Sequence, residues 1–137
     1  MASQREIKFR LWDNVDYMSK PFTLHSLMSP TRTEFTSDCI IMQYTGRKDK
    51  NLVEIYDGDV VRQIGRDRNG DECESICHIG MGDWSNGIQG DSEINIGPHF
   101  IGVKGVMSSW YRELSYSQAA KCTVIGNIYQ NPELLTP

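Results

Sequence analysis

The stretch NLVEIYDGDVVRQIG, from Asn51 to Gly65, constrains the fold more than any other part of the chain. At its centre an Asp-Gly-Asp separates two short runs of β-branched and aromatic residues, a composition typical of strands. Glycine supplies the backbone angles that a tight turn needs, and aspartate hydrogen-bonds the amide groups of its own turn. The stretch therefore predicts two strands joined by a tight turn, with Gly58 in the turn and Asp59 at the start of the second strand.

The two carboxylates of this turn could also carry chemistry. On an extended chain residues i and i+2 share a face and lie about 6.6 Å apart. Two such carboxylates can hold a hard cation, or can work as an acid–base pair if burial separates their pKa values. We favour the structural interpretation, in which Asp57, Gly58 and Asp59 form the turn that begins a strand and both carboxylates face water.

A second turn is predicted at RNGD, where Asn69-Gly70 is a strong hairpin signal. The flanking VVRQIGRD and DECESICHI are its predicted arms. The phrase RDRNGDECE also resembles a calcium loop, but Gly70 comes too early for the spacing of an EF-hand. We therefore interpret Asn69 and Gly70 as a structural turn.

Other stretches predict a mainly β chain. REIKFRLW at 5–12 alternates apolar and charged residues, and the turn-forming DNVD leads to a return strand at Tyr17–Lys20, which together make an N-terminal β-hairpin. A short strand is predicted around Phe22–Leu27. CIIMQYTG at 39–46 and CTVIGNIYQ at 122–130 have the composition of strands.

The remaining segments carry weaker patterns. The glycine-dense stretch at 80–102 predicts a long loop or loosely paired short strands. SSWYRELSYSQAAKC at 108–122 is the one candidate for a helix, with Ser108 or Ser109 as its N-cap. The Asn-Pro at 131–132 predicts a single helical turn.

Length and charge set broad limits. The chain has 137 residues, which suits one domain, and its formal net charge of −4 weighs against a dedicated binder of phosphate backbones. Its first residues show no apolar signal-peptide core, and no apolar run approaches the ~18 residues of a membrane span. We expect a cytoplasmic protein with reduced thiols that does not bind a membrane.

Cys73, Cys77 and His78 suggest a zinc site, since zinc is often bound by closely spaced Cys residues on a turn. The spacer ESI is typical of a strand, on which the two Cys residues would lie about 13 Å apart. That is too far to share one ion at Zn–S distances of about 2.3 Å. We therefore predict no metal and no cofactor, and we interpret the cysteines as small buried hydrophobes. His25 and His99 belong to no known catalytic motif.

Two sets of residues could form an interaction surface. Exposed aromatic residues would offer a platform for a peptide, a base or another subunit, whereas buried ones would belong to the core or to a subunit interface. The basic set fits a solvated strand face better than a phosphate track. The residues are Trp84, Trp110 and Tyr111, and Arg62, Arg66 and Arg68.

Four phrases carry a family resemblance: REIKFRLWD near the start, MQYTGRKDKN at 42–51, EIYDGDVV at 54–61 and VIGNIYQNPELL at 124–135. The order of these motifs, their spacing and their residues resemble those of the YopX family of phage and prophage proteins. The region from roughly Arg66 to Lys121 does not align. Where such sequences usually have Asn-Gly before EIY, this chain has Asn51-Leu52, which leaves the local turn type open.

The resemblance implies a compact, mainly β protein that associates with itself, and it implies no activity. The expected fold is a small SH3-like barrel core with an N-terminal β-hairpin, a long glycine-rich loop region and at most one short helix. The single domain 1–137 would consist of a barrel core, about 38–80 with 120–131, an N-terminal appendage and an insertion at 81–119.

Three functions compete. The first is a non-enzymatic module that assembles with itself and binds a phage or host protein. The second is a phage accessory factor that binds nucleic acid, which the acidic balance disfavours; its candidate residues are Trp110, Arg62, Arg66, Arg68 and Arg112. The third is a metal-dependent hydrolase that uses Asp57 and Asp59.

Overall fold

The computed structural model describes residues 7–15, 17–23, 39–66, 68–84, 95–104 and 111–136, without the side chains of residues 83, 84, 95, 96, 111 and 112. The chain is mainly β, as predicted. The strands are β1 (Lys8–Trp12), β2 (Phe22–Thr23), β3 (Ile40–Lys48), β4 (Glu54–Tyr56), β5 (Asp59–Arg66), β6 (Glu72–Gly80), β7 (Asp83–Trp84), β8 (Asn95–Ile96), β9 (His99–Lys104), β10 (Tyr111–Glu113) and β11 (Cys122–Asn127). A short helix α1 (Tyr116–Ala119) precedes β11, and a 3-10 turn (Pro132–Leu135) follows it.

The strands form two antiparallel sheets and a two-stranded ribbon. The first sheet has the order β2-β1-β3-β4, the second has the order β10-β9-β6-β5-β11, and β7 pairs with β8. Over the described residues these sheets do not close into a barrel, so the predicted SH3-like barrel core is not confirmed. The edge strands β4 and β11 are bridged by the turn between β3 and β4, where the Lys50 amide donates to Cys122 O at 2.9 Å, and not by a strand ladder.

The N-terminal strand β1 forms as its alternation predicts and pairs with both β2 and β3. The predicted return strand at Tyr17–Lys20 is wrong in extent, because it is reduced to one bridge between Trp12 and Met18. The Asp13 carboxylate accepts hydrogen bonds from the amides of Val15 and Tyr17 and holds the chain in a wider loop. The antiparallel return is therefore made by β2.

The hairpin of β5 and β6 confirms the prediction from Asn69-Gly70. Its register runs from Val60 opposite His78 to Arg66 opposite Glu72, and Gly70 has a φ of +81°. Beyond Gln63 almost every described residue of the hairpin is exposed. The hairpin therefore extends past the body of the sheet.

The predicted helix is wrong in extent. It has four residues and begins after Ser115, whose Oγ accepts from the Gln118 amide at 3.2 Å. The preceding residues 111–113 are strand β10, because they pair with β9. Ser108, Ser109 and Trp110 lie outside the described residues. The predicted insertion at 81–119 supplies β9 and β10, which continue the second sheet, and the division into core and insertion stays a prediction.

Two clusters of buried side chains make up the core. The larger lies on the inner face of the five-stranded sheet and contains Ile55, Val61, Cys77, Ile79, Phe100, Leu114, Ala119 and Cys122, and the smaller contains Trp12, Met42, Tyr44 and Tyr56. Two of the four cysteines are thus buried hydrophobes, as predicted, while Cys39 and Cys73 are half-buried. Burial raises the pKa of Cys77 to about 11 and that of Cys122 to about 12, so both stay protonated.

Candidate functional site

A groove of about 250 Å³ lies on the outer face of the five-stranded sheet, opposite the larger core cluster. Its lining combines an apolar floor with a charged rim. The floor is formed by Ile76, Ile125 and Leu134, and the rim by Arg62, Glu74, Lys104 and Glu133.

Strand alternation explains why these side chains share one face. Cys77 on β6 points into the core, so its neighbour Ile76 points outward. The register then places Thr123, Arg62, Ile76 and Lys104 opposite one another on four consecutive strands. The groove therefore follows from period two and from register, while Leu134 reaches it from the 3-10 turn after β11.

The charged rim is a loose network around Glu74. Arg62 Nη1 lies 3.4 Å from Glu74 Oε2, and Lys104 Nζ lies 3.8 Å from Glu74 Oε1. The side chain of Arg62 is 48% exposed, that of Glu74 is 40% exposed and that of Lys104 is 46% exposed. Because solvent screens these charges, each ion pair contributes little to stability. These charges remain available to a partner that excludes water from them.

The other two arginines of the predicted basic set lie apart from the groove. Arg66 Nη1 donates to Gly70 O at 2.8 Å and so supports the hairpin turn. Arg68 is exposed at the hairpin tip. The structure thus does not bring the three arginines into one basic surface, and it places Arg62 beside an acid.

The predicted aromatic surface lies mostly outside what the structure describes. Trp84 pairs through its backbone with Asn95, and Tyr111 pairs with Ile101, but neither aromatic side chain is described. Trp110 lies outside the described residues. The aromatic platform stays a prediction.

The Asp-Gly-Asp turn joins the two sheets. The Asp57 amide donates to Gln43 O on β3, and the Gly58 amide donates to Ile79 O on β6, each at 2.8 Å. Gly58 O in turn accepts from the Ile128 amide at 2.8 Å, beyond the end of β11. The turn is therefore a junction between elements that are far apart in sequence.

The prediction that both carboxylates face water is wrong for Asp59. Its side chain is 1% exposed, and it accepts hydrogen bonds from the Arg10 guanidinium and from the Tyr56 amide, the latter at 2.7 Å. Desolvation raises the pKa of Asp59 to about 6, although Arg10 opposes the shift. The Asp59 carboxylate thus serves to fix the turn against β1.

Asp57 has a different environment from Asp59. It is half-buried, burial raises the pKa of its carboxyl group, and the neighbouring His99 lowers it. Among the described residues no group of three or more His, Cys, Asp or Glu side chains could hold a metal ion. The turn therefore does not offer two free carboxylates to one ligand.

Sequence reasoning missed a chain of polar contacts that surrounds Asp59. Lys8 forms an ion pair with Glu54, and the Tyr56 hydroxyl donates to Glu54 Oε1 at 3.2 Å. The Arg10 guanidinium lies 4.5 Å from the centre of the Tyr56 ring. The alternation of β1 predicts a half-buried strand with one charged face, but it does not name the partners of those charges. The available signal was that EIYDGD offers acids and a tyrosine to pair with them.

Asp49 was missed as well. It is 3% exposed, and its carboxylate accepts from the amides of Asn51 and Val53 in its own turn and of Val124 on β11, at 2.8, 2.9 and 2.9 Å. The turn between β3 and β4 is thus organised by one buried acid. An Asp before a predicted turn was the only signal for this role in the sequence.

None of the described helices is both long enough and apolar enough to cross a membrane.

Comparisons with known proteins agree with this fold. A model of the YopX protein family matches residues 6–136. The crystal structure of protein EF1440 from Enterococcus faecalis is similar over 96% of this chain and 99% of that chain, with 21% sequence identity and a TM-score of 0.52. At this identity the likeness shows the fold alone. No curated protein matches the chain.

Proposed function

This chain belongs to the YopX family, and we propose that it is a non-enzymatic interaction module that assembles with itself. A phage or prophage origin, which the family resemblance implies, and action in the bacterial cytoplasm are part of the proposal. The four cysteines are not joined in disulfides, which suits a reducing compartment.

The groove on the outer face of the five-stranded sheet carries the proposal. Its apolar floor and charged rim have the composition of a protein interface, in which a desolvated centre is surrounded by polar side chains. Ile125 in the groove is 37% exposed, and Ile64, which shares the face of Arg62 on β5, is 44% exposed. Both residues lie on hydrogen-bonded strands of the five-stranded sheet, Ile64 opposite Glu74 on β6 and Ile125 at the bulge of β11.

The engagement of the reactive groups supports a non-enzymatic role. Asp59 already accepts from Arg10 and from Tyr56, so the carboxylate is committed to the fold. Cys77 and Cys122 are buried, and their raised pKa values disfavour the nucleophilic thiolate. The chemistry that the sequence offered at these positions is thus used for structure.

The charge of the groove favours a protein partner over nucleic acid. Glu74 and Glu133 stand among the two cations of the rim and would repel a phosphate backbone. Arg62, which is a candidate both for a protein interaction surface and for nucleic-acid binding, already lies beside Glu74. An alternating rim suits a protein surface, which carries both signs.

Light scattering coupled to size-exclusion chromatography tests the proposal. The chain has a mass of 15.6 kDa, so we expect a particle whose mass is a multiple of this value and whose elution depends on protein concentration. A particle of 15.6 kDa at every concentration up to about 1 mM would overturn self-association, because interfaces of standard size are saturated well below this concentration.

A further inference from the structure

The rim of the groove carries its charges in an ordered row. Four consecutive strands of the second sheet are β9-β6-β5-β11, with Lys104 on β9, Glu74 on β6 and Arg62 on β5. Glu133 lies on the β11 side, since its neighbour Leu134 packs against Gly126 of β11. From β9 to β11 the signs therefore alternate: positive, negative, positive, negative. We name the four residues the charge row.

An alternating row of four charges is its own complement. A two-fold axis along the strand direction, between Arg62 and Glu74, reverses the row in a second copy that packs face to face. Glu133 then lies on the side of Lys104 of the second copy. Arg62 lies diagonally across from its Glu74, because Glu74 is two residues along β6 from Ile76, the residue opposite Arg62. An interface with two-fold symmetry requires this property, because the same patch must complement itself.

We propose that the charge row is the centre of a two-fold interface through which two copies of this chain pack face to face. This inference rests on the proposed self-assembly and deepens it by naming the surface. The apolar Ile76, Ile125 and Leu134 between the charges would supply the desolvated centre, and the four ion pairs across the axis would fix the register.

The alternation of signs favours a second copy over other occupants. A strongly acidic peptide or a nucleic acid would place its negative charges against Glu74 and Glu133. A strongly basic partner would meet Arg62 and Lys104 in the same way. A second copy meets an opposite charge at all four positions, and its Ile125 adds apolar area on both sides of the axis.

Charge-swap complementation tests the proposal. The acidic variant is Arg62→Glu with Lys104→Glu, and the basic variant is Glu74→Lys with Glu133→Lys. Each variant would face itself with a row of one sign, so we expect its self-association to be at least about 100-fold weaker than that of the natural chain. A mixture of the two variants places opposite rows together and should associate again, as a complex of one acidic and one basic copy.

A matched control distinguishes the effect of changing the charge row from the effect of changing the net charge of the protein. Lys20→Glu with Lys48→Glu changes two exposed lysines outside the five-stranded sheet and alters the net charge as much as the acidic variant does. We expect this control to associate like the natural chain. Far-ultraviolet circular dichroism of every variant should show the natural strand content, since the charge row lies on the surface.

The possible results distinguish self-assembly itself from the position of the interface at the charge row. If the natural chain associates and the acidic and basic variants associate equally well, the interface lies elsewhere and self-assembly stands. If the natural chain is monomeric, self-assembly fails and the interface fails with it. If both variants are monomeric and their mixture stays monomeric, pairing across the row is wrong.

A measurement on the natural chain needs no variant. Ion pairs at the interface predict that its dissociation constant rises at least about 10-fold between 0.05 and 0.5 M salt. Association that is unchanged over this range would overturn the charge row as the determinant of the interface.

Discussion

The turn at Asp57–Asp59 and the turn at Asn69–Asp71 have nearly the same sequence but opposite surroundings. Both contain a glycine followed by an aspartate, and the two glycines have similar φ angles of +88° and +81°. In the first turn Asp59 is 1% exposed, whereas residues 68–72 of the second are all exposed. The local pattern thus sets the backbone conformation of a turn, and the rest of the chain sets what the turn contributes.

The difference has a physical cause in what each turn connects. The second turn joins β5 to its direct neighbour β6 within one ladder. The first joins β4 of one sheet to β5 of the other, and the amides of its residues bond to β3 and β6. A turn between sheets is covered by both of them, so its carboxylate must find partners inside the protein.

The largest expected effect is a difference in stability between alanine variants of the two aspartates that follow the glycines. Asp59→Ala leaves the guanidinium of Arg10, whose side chain is 17% exposed, without its carboxylate, and leaves the Tyr56 amide unpaired. We expect the free energy of unfolding in urea to fall by about 3–5 kcal/mol. Asp71→Ala, at the exposed turn, should change it by less than about 0.5 kcal/mol. Equal losses at the two positions would contradict the comparison.

The two glycines should differ by less. In both turns a Cβ must adopt a left-handed backbone, which costs about 1 kcal/mol. At Gly58 that Cβ would also lie 2.9 Å from Tyr129 Cε2, whereas at Gly70 it would meet nothing within 4 Å. We expect losses of about 2–3 kcal/mol for Gly58→Ala and about 1 kcal/mol for Gly70→Ala in urea denaturation.

The background variant Tyr129→Ala isolates the steric part of this difference. In that background Gly58→Ala should cost about as much as Gly70→Ala, because the nearest side chain is gone and the remaining close atom, Met42 Cε at 3.2 Å, is the end of a flexible side chain that can move aside. A cost that stays at about 2–3 kcal/mol would mean that the contact with Tyr129 is not the cause.

The pH dependence of stability tests the environment of Asp59 directly. The folded protein raises the pKa of Asp59 from 3.8 to about 6, so folding favours the protonated form. The resulting stabilisation is complete below pH 3.8 and is lost as the pH rises through about 6. The neutral carboxyl group still accepts from Arg10 and Tyr56, so protonation does not have the effect of Asp59→Ala.

Between pH 7 and pH 4.5 we expect Asp59 to add about 2 kcal/mol to the free energy of unfolding. Asp59→Asn removes this titration, so the difference between the natural chain and the variant should change by that amount over the same range. A difference that is independent of pH would show that Asp59 titrates at its ordinary pKa.

Local signals predicted the elements that depend on adjacent residues. The hairpin at Asn69-Gly70, the alternating strand β1 and the strand β11 with its final turn all follow from short patterns, and all are present. Each of them is determined by neighbours within about ten residues. For the same reason the mainly β class could be predicted without knowledge of the sheets.

Features that depend on distant partners could not be predicted in this way. The burial of Asp59 requires Arg10, 49 residues earlier in the chain. Residues 111–113 form a strand and not a helix because β9 is beside them. The groove combines β5, β6, β9, β11 and the final turn, and only Arg62 of its rim was named from the sequence. These features depend on the order in which the strands pair, and amino-acid composition does not encode that order.

The smallest expected effect concerns a third turn, at Asn51-Leu52, where the family resemblance led us to expect glycine. Leu52 has a φ of +66°, in the left-handed region that disfavours a residue with a Cβ, and its side chain is 77% exposed. Replacing it by glycine relieves this strain and sacrifices almost no buried surface. The greater freedom of glycine in the unfolded chain offsets part of the gain.

We therefore expect Leu52→Gly to raise the free energy of unfolding by about 1 kcal/mol, as measured by urea denaturation. Leu52→Asn should give a smaller gain because asparagine tolerates this conformation better than leucine, and Leu52→Ala should give none. If Leu52→Ala stabilised the protein as much as Leu52→Gly, the benefit would come from removing an exposed apolar side chain. If the gain in stability is larger for glycine than for asparagine, and larger for asparagine than for alanine, then this turn has the same left-handed backbone as the other two turns and lacks only their glycine.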